Sequence, residues 1–259
     1  MSDNRTIRVV LVDDVPELRL LVRLTLEDDP DIEVVGEAAN GREGVAVVER
    51  TDPDIVLLDL SMPDMDGLEA IPLMREHAPN ARLVVLSGHE AGRVSLEALE
   101  QGATRYINKA AGLNQIPRVV HEVAAIEPPF THEGFGVVRS MWEAFLDGRI
   151  DRMCQNAAPD ARWRPYVAHG RELRSHEEAR AFVEEMVERG QVVDPRAYGV
   201  EPRGSGLVVL GTLEVRGPDG LSETEVYWAF CFSGRLVSMA ATCDRREEAL
   251  KTLAACAST

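Results

Sequence analysis

The chain has 259 residues, 28 basic and 44 acidic side chains and a formal net charge of −16. That length suits one large domain or two ordinary ones, and 45% hydrophobic with 28% charged residues excludes wholesale disorder. No apolar run reaches membrane-spanning length and the start MSDNRTIRVV lacks a signal-peptide core, so a cytoplasmic chain with no membrane and no nucleic-acid partner is expected. In chain order, strands are predicted at Ile7–Val12, Ile32–Gly36, Ile55–Asp59, Leu83–Ser87 and Ala103–Asn108. Helical spacing fills Pro16–Asp28, Gly41–Arg50, Gly67–Glu76, Gly92–Gln101 and Leu113–Ala125. Five successive β-then-α units predict an α/β fold, a doubly wound parallel sheet of five strands, because parallel strands need crossover helices.

The pattern stops at Ile126-Glu-Pro-Pro-Phe130, where two prolines end the helix. The predicted organisation is therefore a first domain over 1–126, a linker over 127–132 and a second domain over 133–259. Helices come first in the second domain: Phe135–Asp147, Ile150–Ala157 and Ser175–Arg189, the last opened by Ser175 with Glu178 three residues on. Strands follow at Arg196–Glu201, Leu207–Arg216, Glu223–Phe232 and Leu236–Cys243. Gly217-Pro-Asp-Gly220 and Ser233-Gly234 mark hairpins between the last three, which predicts an α+β domain with a mainly antiparallel sheet. The four cysteines (Cys154, Cys231, Cys243, Cys256) all fall here without a CxxC pair, so neither zinc nor a disulfide framework is expected. Neither half is basic: residues 1–126 carry 12 bases and 23 acids, and residues 127–259 carry 16 and 21.

Three carboxylates fall at C-terminal strand ends of the first domain: Asp13, Asp14 and Asp59. In open α/β sheets ligands bind at that edge, and converging carboxylates need a hard divalent cation such as Mg2+. Ser87 closes the fourth strand and Lys109 follows the fifth, which adds a hydroxyl and an ammonium. A carboxylate nucleophile, a magnesium pocket, a hydroxyl and a fixed cation suit phosphoryl transfer. Only two of the 28 bases, Lys109 and Lys251, are lysine, yet the position at this edge is one of them. A compact ammonium fits a single phosphoryl oxygen better than an Arg fork. Lys251 has no assigned role.

Residues 6–125 resemble a response-regulator receiver domain in LVDD (Leu11–Asp14), IVLLDLSMPDMDGLE (Ile55–Glu69), VVLSG (Val84–Gly88) and GATRYINK (Gly102–Lys109). The resemblance implies that Asp59 is the phosphoacceptor for a sensor histidine kinase. It implies Mg2+ held by Asp13, Asp14, Asp59 and the backbone carbonyl of Ser61, with Ser87 and Lys109 on the phosphoryl oxygens. Tyr106 is implied as the switch aromatic, against the plainer reading of a half-buried sheet residue. Receivers usually carry proline after the lysine; here it is Ala110.

Residues 133–253 resemble the SnoaL-like, nuclear transport factor 2-like cone. The resembling segments are WEAFLDGRIDRM (Trp142–Met153), APDARWRP (Ala158–Pro165), HGRELRSHEEARAFVEEM (His169–Met186), VYWAFCFSGRLVSM (Val226–Met239) and CDRREEAL (Cys243–Leu250). Candidate pocket residues are Trp163, Tyr166, His169, Tyr227, Trp228 and Cys231, with Glu214, Asp194 and Tyr198 as further polar candidates. Cys231 reads as a small core residue, since no His is patterned near it. Strand alternation places Val226, Trp228, Phe230 and Phe232 on one face and Tyr227, Ala229 and Cys231 on the other. No helix presents the basic face of a DNA reader. The expected function is a response regulator that signals through the cone by homodimerisation or by binding a small molecule or protein. A phosphorylation-gated isomerase or cyclase is the alternative, and a DNA-binding regulator ranks last.

Overall fold

The computed structural model describes residues 5–256, apart from 90, 127–133, 169 and 219. The chain divides into two compact units, residues 1–131 and 132–259. Among the described residues no helix is long and apolar enough to cross a membrane.

In the first unit β1 (Ile7–Val12), β2 (Ile32–Ala38), β3 (Ile55–Asp59), β4 (Arg82–Ser87) and β5 (Arg105–Asn108) pair in parallel in the order β2-β1-β3-β4-β5. This is the flavodoxin-like, doubly wound order. The connecting helices are α1 (Pro16–Glu27), α2 (Gly41–Thr51), α3 (Gly67–His77), α4 (Arg93–Gln101) and α5 (Ile116–Ala124). All five residues of β3 are buried, as helices on both sheet faces require. One face packs Val9, Leu11, Leu57, Val84 and Leu86 against Val22 and Leu26 of α1 and Val119 and Val123 of α5. The chain steps from β1 to β2 on one side and to β3 on the other, so a crevice opens at the C-terminal ends of β1 and β3.

Local sequence sets the helix starts. Asn40 caps α2 by accepting from the Glu43 N–H, and Asp66 forms a reciprocal capping box with Glu69 at α3. The helix predicted from Leu113 begins later. Leu113–Gln115 forms a 3-10 turn, and α5 proper opens at Ile116 with Pro117 in its first turn.

The second unit holds α6 (Phe135–Leu146), α7 (Ile150–Gln155), β6 (Ala157–Arg164), α8 (His176–Glu188), β7 (Val192–Arg203), β8 (Gly206–Gly217), β9 (Gly220–Ser233), β10 (Leu236–Cys243) and α9 (Arg246–Cys256). Its strands lie in the order β7-β8-β9-β10-β6, antiparallel except for β6 beside β10. Alternation along β9 works as the sequence pattern predicts. Ala229 and Cys231, with Met239 and Ala241 of β10, pack against Ala249 and Leu253 of α9. Trp228 and Phe230 face the other way, toward Trp142 of α6.

Two elements escape the sequence pattern. β6 contains Pro159 and Asp160 and pairs with β10 through a register shift, so its alternation is broken. α9 carries few large apolar residues on a charged background, and its buried stripe is Ala249, Thr252 and Leu253. Missing α9 hid a bond. Cys231 of β9 is not a free core thiol but forms a disulfide with Cys256 at the end of α9, with Cα atoms 6.4 Å apart. Strand β9 and helix α9 bring together two cysteines 25 residues apart, a juxtaposition that spacing alone does not reveal. Cys154 and Cys243 are free and buried.

Candidate functional site

Asp13 and Asp14 follow the last residue of β1, and Asp59 is the last residue of β3. The topological crevice therefore receives three carboxylates, whose ligating oxygens lie within 4.8 Å of one another. Asp13 and Asp59 are buried. Lys109, directly after β5, reaches both: its Nζ lies 2.9 Å from Asp13 Oδ2 and 2.9 Å from Asp59 Oδ1. Burial raises the Asp59 pKa and the Asp13 charge adds to it, while the Lys109 ammonium and a hydrogen bond from the Ser61 backbone oppose them without prevailing. Burial works against the Lys109 ammonium in turn, but its hydrogen bonds to Asp13 and Asp59 outweigh that and hold its pKa above the usual lysine range.

The donor set fits a hard cation. Three carboxylates and one ammonium leave two negative charges, all ligand atoms are oxygen, and octahedral Mg2+ places oxygens up to ~4.2 Å apart. The carboxylate spacing needs only modest contraction.

The turn after β3 is built for close approach. The Gly67 N–H closes it on the Leu60 carbonyl at 3.0 Å, and Asp64 takes a left-handed φ of 68°. A Cβ on Gly67 would stand 2.3 Å from the Asp59 carbonyl oxygen, so only glycine lets α3 start against the strand that carries Asp59. Ser61 sits in this turn.

At the neighbouring strand ends Ser87 is fully buried, and its Oγ accepts the His89 N–H at 3.2 Å. Tyr106 of β5 is buried with its ring inward, and its hydroxyl donates to the His89 carbonyl at 2.9 Å. Burial pushes its phenol pKa up, against a hydrogen bond with Ser87. His89 joins the two strand ends through its backbone, a role no side-chain pattern signals. Ala110 lies in a 3-10 turn over Lys109–Ala111, and its N–H donates to Asn108 Oδ1 at 2.8 Å. Proline has no N–H to make that bond.

In the second unit the predicted pocket residues separate. Trp163, Tyr166 and Trp228 line a cavity of about 150 Å3 together with Trp142, Phe182 and Phe230. Tyr227 and Cys231 belong to the opposite face, packed with α9, because the strand's alternation turns them away from Trp228 and Phe230. His169 lies outside the described residues. Glu214 pairs with Arg196 and Arg216, Asp194 with Arg196, and the Tyr198 hydroxyl donates to Glu225 at 2.6 Å. The residue the sequence pattern missed is Glu201, 2% exposed, whose carboxylate accepts from Arg246 of α9 at 2.6–3.1 Å. The motif CDRREEAL contains Arg246 but gives no hint of its partner 45 residues earlier.

A five-stranded doubly wound unit with an acidic crevice, a buried carboxylate at the end of β3 and a lysine after β5 is an α/β module that brings together the groups phosphoryl transfer calls for. Residues 9–121 match the response regulator receiver domain family, and this part of the chain is a receiver domain. The chain is 41% identical over 129 residues to the nitrate/nitrite response regulator protein NarL of Escherichia coli K12, covering 49% of this chain and 59% of that protein. It is 34% identical over 128 residues to the response regulator protein VraR of Staphylococcus aureus Mu3, covering 49% of this chain and 61% of that protein. The chain thus spans about six-tenths of the length of these curated relatives. Among solved structures, a two-component response regulator of the LuxR family from Aurantimonas sp. SI85-9A1 is 33% identical with a TM-score of 0.45, covering 46% of this chain and 86% of that one. An NTF2-like protein of unknown function from Burkholderia pseudomallei K96243 is similar to the C-terminal part at 20% identity and a TM-score of 0.40, covering 48% of this chain and 98% of that one.

Proposed function

We propose that this chain is a cytoplasmic two-component response regulator, phosphorylated on Asp59 by a sensor histidine kinase with Mg2+. The observation that carries the reading is the Asp59 carboxylate, buried at a strand end, held 2.9 Å from Lys109 and grouped with Asp13 and Asp14. An Asp59 oxygen attacks the donor phosphorus, the P–N bond of a phosphohistidine or the P–O bond of acetyl phosphate breaks, and an aspartyl phosphate results. Asp13, Asp14, Asp59 and the Ser61 carbonyl would hold Mg2+, which when bound would supply positive charge against the phosphoryl oxygens. Lys109 exchanges its Asp59 contact for a phosphoryl oxygen, and Ser87 supplies a hydroxyl to another. Moving Ser87 draws on the His89 backbone that Tyr106 also holds, which makes Tyr106 the switch residue. Acetyl phosphate and Mg2+ should incorporate phosphate in the wild type and not in Asp59→Asn. Incorporation surviving that substitution overturns the assignment.

For the second unit we propose a cone-shaped, SnoaL-like output domain that works by dimerisation or by binding a small molecule or protein. The described lining of its cavity is mostly apolar, with Arg164, Tyr166 and Thr242 as its polar members, and holds no carboxylate, which favours binding over acid–base chemistry of the isomerase or cyclase kind. Its acidic balance opposes DNA as a partner. Anisotropy with a fluorescent duplex at 50 mM salt should show no binding by the phosphorylated chain; salt-dependent binding there would establish a DNA-reading output instead.

A further inference from the structure

Helix α9 is tied to the second unit at both of its ends. Its first residue, Arg246, bonds the Glu201 carboxylate, and its last, Cys256, is bonded to Cys231 of β9. Between these anchors the buried stripe is only Ala249, Thr252 and Leu253. Eleven residues make too short a helix to persist unanchored.

The disulfide is not sealed in the core. Cys231 is 4% exposed, but the residue opposite it on β8 is Gly206, which has no side chain to cover the bond. A cleft of about 210 Å3 lies there, walled by both cysteines and by Arg203 at the end of β7. Gly204, Ser205 and Ala254 also line it and are exposed, so the cleft meets solvent. Cys256 is half-buried, so a nucleophile entering from solvent meets its Sγ first. Arg203 is the one charged residue of the described lining. Glu201, 3.9 Å from it, is shared with Arg246, so two guanidiniums face one carboxylate and a positive charge is left over. That is a local reversal of sign in a chain of net charge −16. The remaining thiols are poorly suited to open the bond. Cys243 packs in the same cluster as Cys231, but burial pushes its thiol up to about 11, and burial raises that of Cys154 too. The thiolate is the attacking species, so the reductant must come from outside.

We propose that the Cys231–Cys256 bond is an exchange site for a small anionic thiol, held by Arg203 through its carboxylate, and that opening the bond frees the end of α9 from β9. The thiolate attacks Cys256 Sγ and forms a mixed disulfide there, while the Cys231 sulfur leaves as a thiolate and takes a proton from water. A second thiol molecule then attacks the mixed disulfide and releases Cys256. Two small thiols are oxidised to one disulfide, and the protein bond is reduced to two thiols. This input is independent of Asp59, so its failure leaves the phosphoacceptor assignment standing. Only the supply of thiol depends on the cytoplasmic reading, and the purified chain tests the exchange without it.

The full chain, oxidised, is mixed with glutathione, and maleimide-quenched samples are read by mass spectrometry. A glutathione adduct on Cys256 should precede the doubly reduced form, at a rate first order in glutathione and unchanged by urea below the unfolding transition. A rate that climbs with urea along the slope of global unfolding means that the bond is reached only in the unfolded chain, and overturns the proposal. Corrected for thiolate fraction, glutathione should open the bond about fivefold faster than the cationic thiol cysteamine, against the order that the net charge dictates. Arg203→Gln should abolish that preference and Arg203→Lys should keep it. Equal rates in the wild type, or cysteamine the faster, overturn the proposal without recourse to any variant. Hydrogen exchange over residues 246–256 should accelerate about tenfold on reduction, and Cys256→Ser should match the reduced wild type with no thiol added. Unchanged protection of α9 after reduction overturns it as well.

Discussion

Lys109 touches two carboxylates at once, and that double contact sets what its removal does. Lys109→Ala raises the net charge of the crevice from two negative units to three. Magnesium affinity should therefore rise several-fold in calorimetric titration, because the cation no longer competes with an ammonium. Phosphate uptake from acetyl phosphate should fall by about a hundredfold, since a phosphoryl oxygen loses its fixed charge. Opposite signs for binding and transfer distinguish a working cation from a merely structural one; a parallel loss of both would contradict this reading. Gly67 is the second residue whose identity is dictated by contact. Gly67→Ala forces a methyl onto the Asp59 carbonyl and should lower stability by about 2 kcal/mol in urea melts, with phosphate uptake impaired as well.

Elements show where sequence reasoning reaches and where it stops. The receiver half was legible because each βα unit advertises itself locally, through an apolar run, a cap such as Asn40 or Asp66, and a carboxylate at the strand end. In the second half, alternation along β9 was equally legible, and followed strictly it already separates Tyr227 and Cys231 from Trp228. What stayed hidden depends on long-range partners: β6 completing the sheet beside β10, α9 closing its far face, and Glu201 meeting Arg246. That last pair docks α9. Arg246→Ala removes the buried Glu201 carboxylate's hydrogen-bonding partner on α9, leaving Arg203 at 3.9 Å, and should cost about 3 kcal/mol, whereas Glu201→Leu with Arg246→Leu together should cost less. Chemical denaturation followed by far-UV dichroism measures both, and equal costs would remove the pair's structural role. The Cys231–Cys256 bridge acts on the same helix. Its loop of 25 residues implies about 3.5 kcal/mol of stabilisation, lost in Cys256→Ser under oxidising conditions. Under reductant, wild type and variant should melt alike.

At the scale of the whole chain, charge and aromatic content are distributed unevenly. The first 126 residues hold most of the negative charge, and three of those acids converge on one crevice, so under the proposed reading part of the acidity serves cation binding rather than solubility alone. The aromatic distribution runs the other way: the same 126 residues contain no tryptophan and a single tyrosine, Tyr106. Light absorbed at 295 nm is therefore absorbed by the second unit, whatever happens at Asp59. Adding beryllofluoride and Mg2+ changes only the chemistry of the first unit, so any resulting shift in emission is a message that has crossed between the two. The placement of three indoles around one cavity makes the protein its own optical receiver for that message, and a titration in a cuvette, with Asp59→Asn as the blank, reads how strongly it is transmitted.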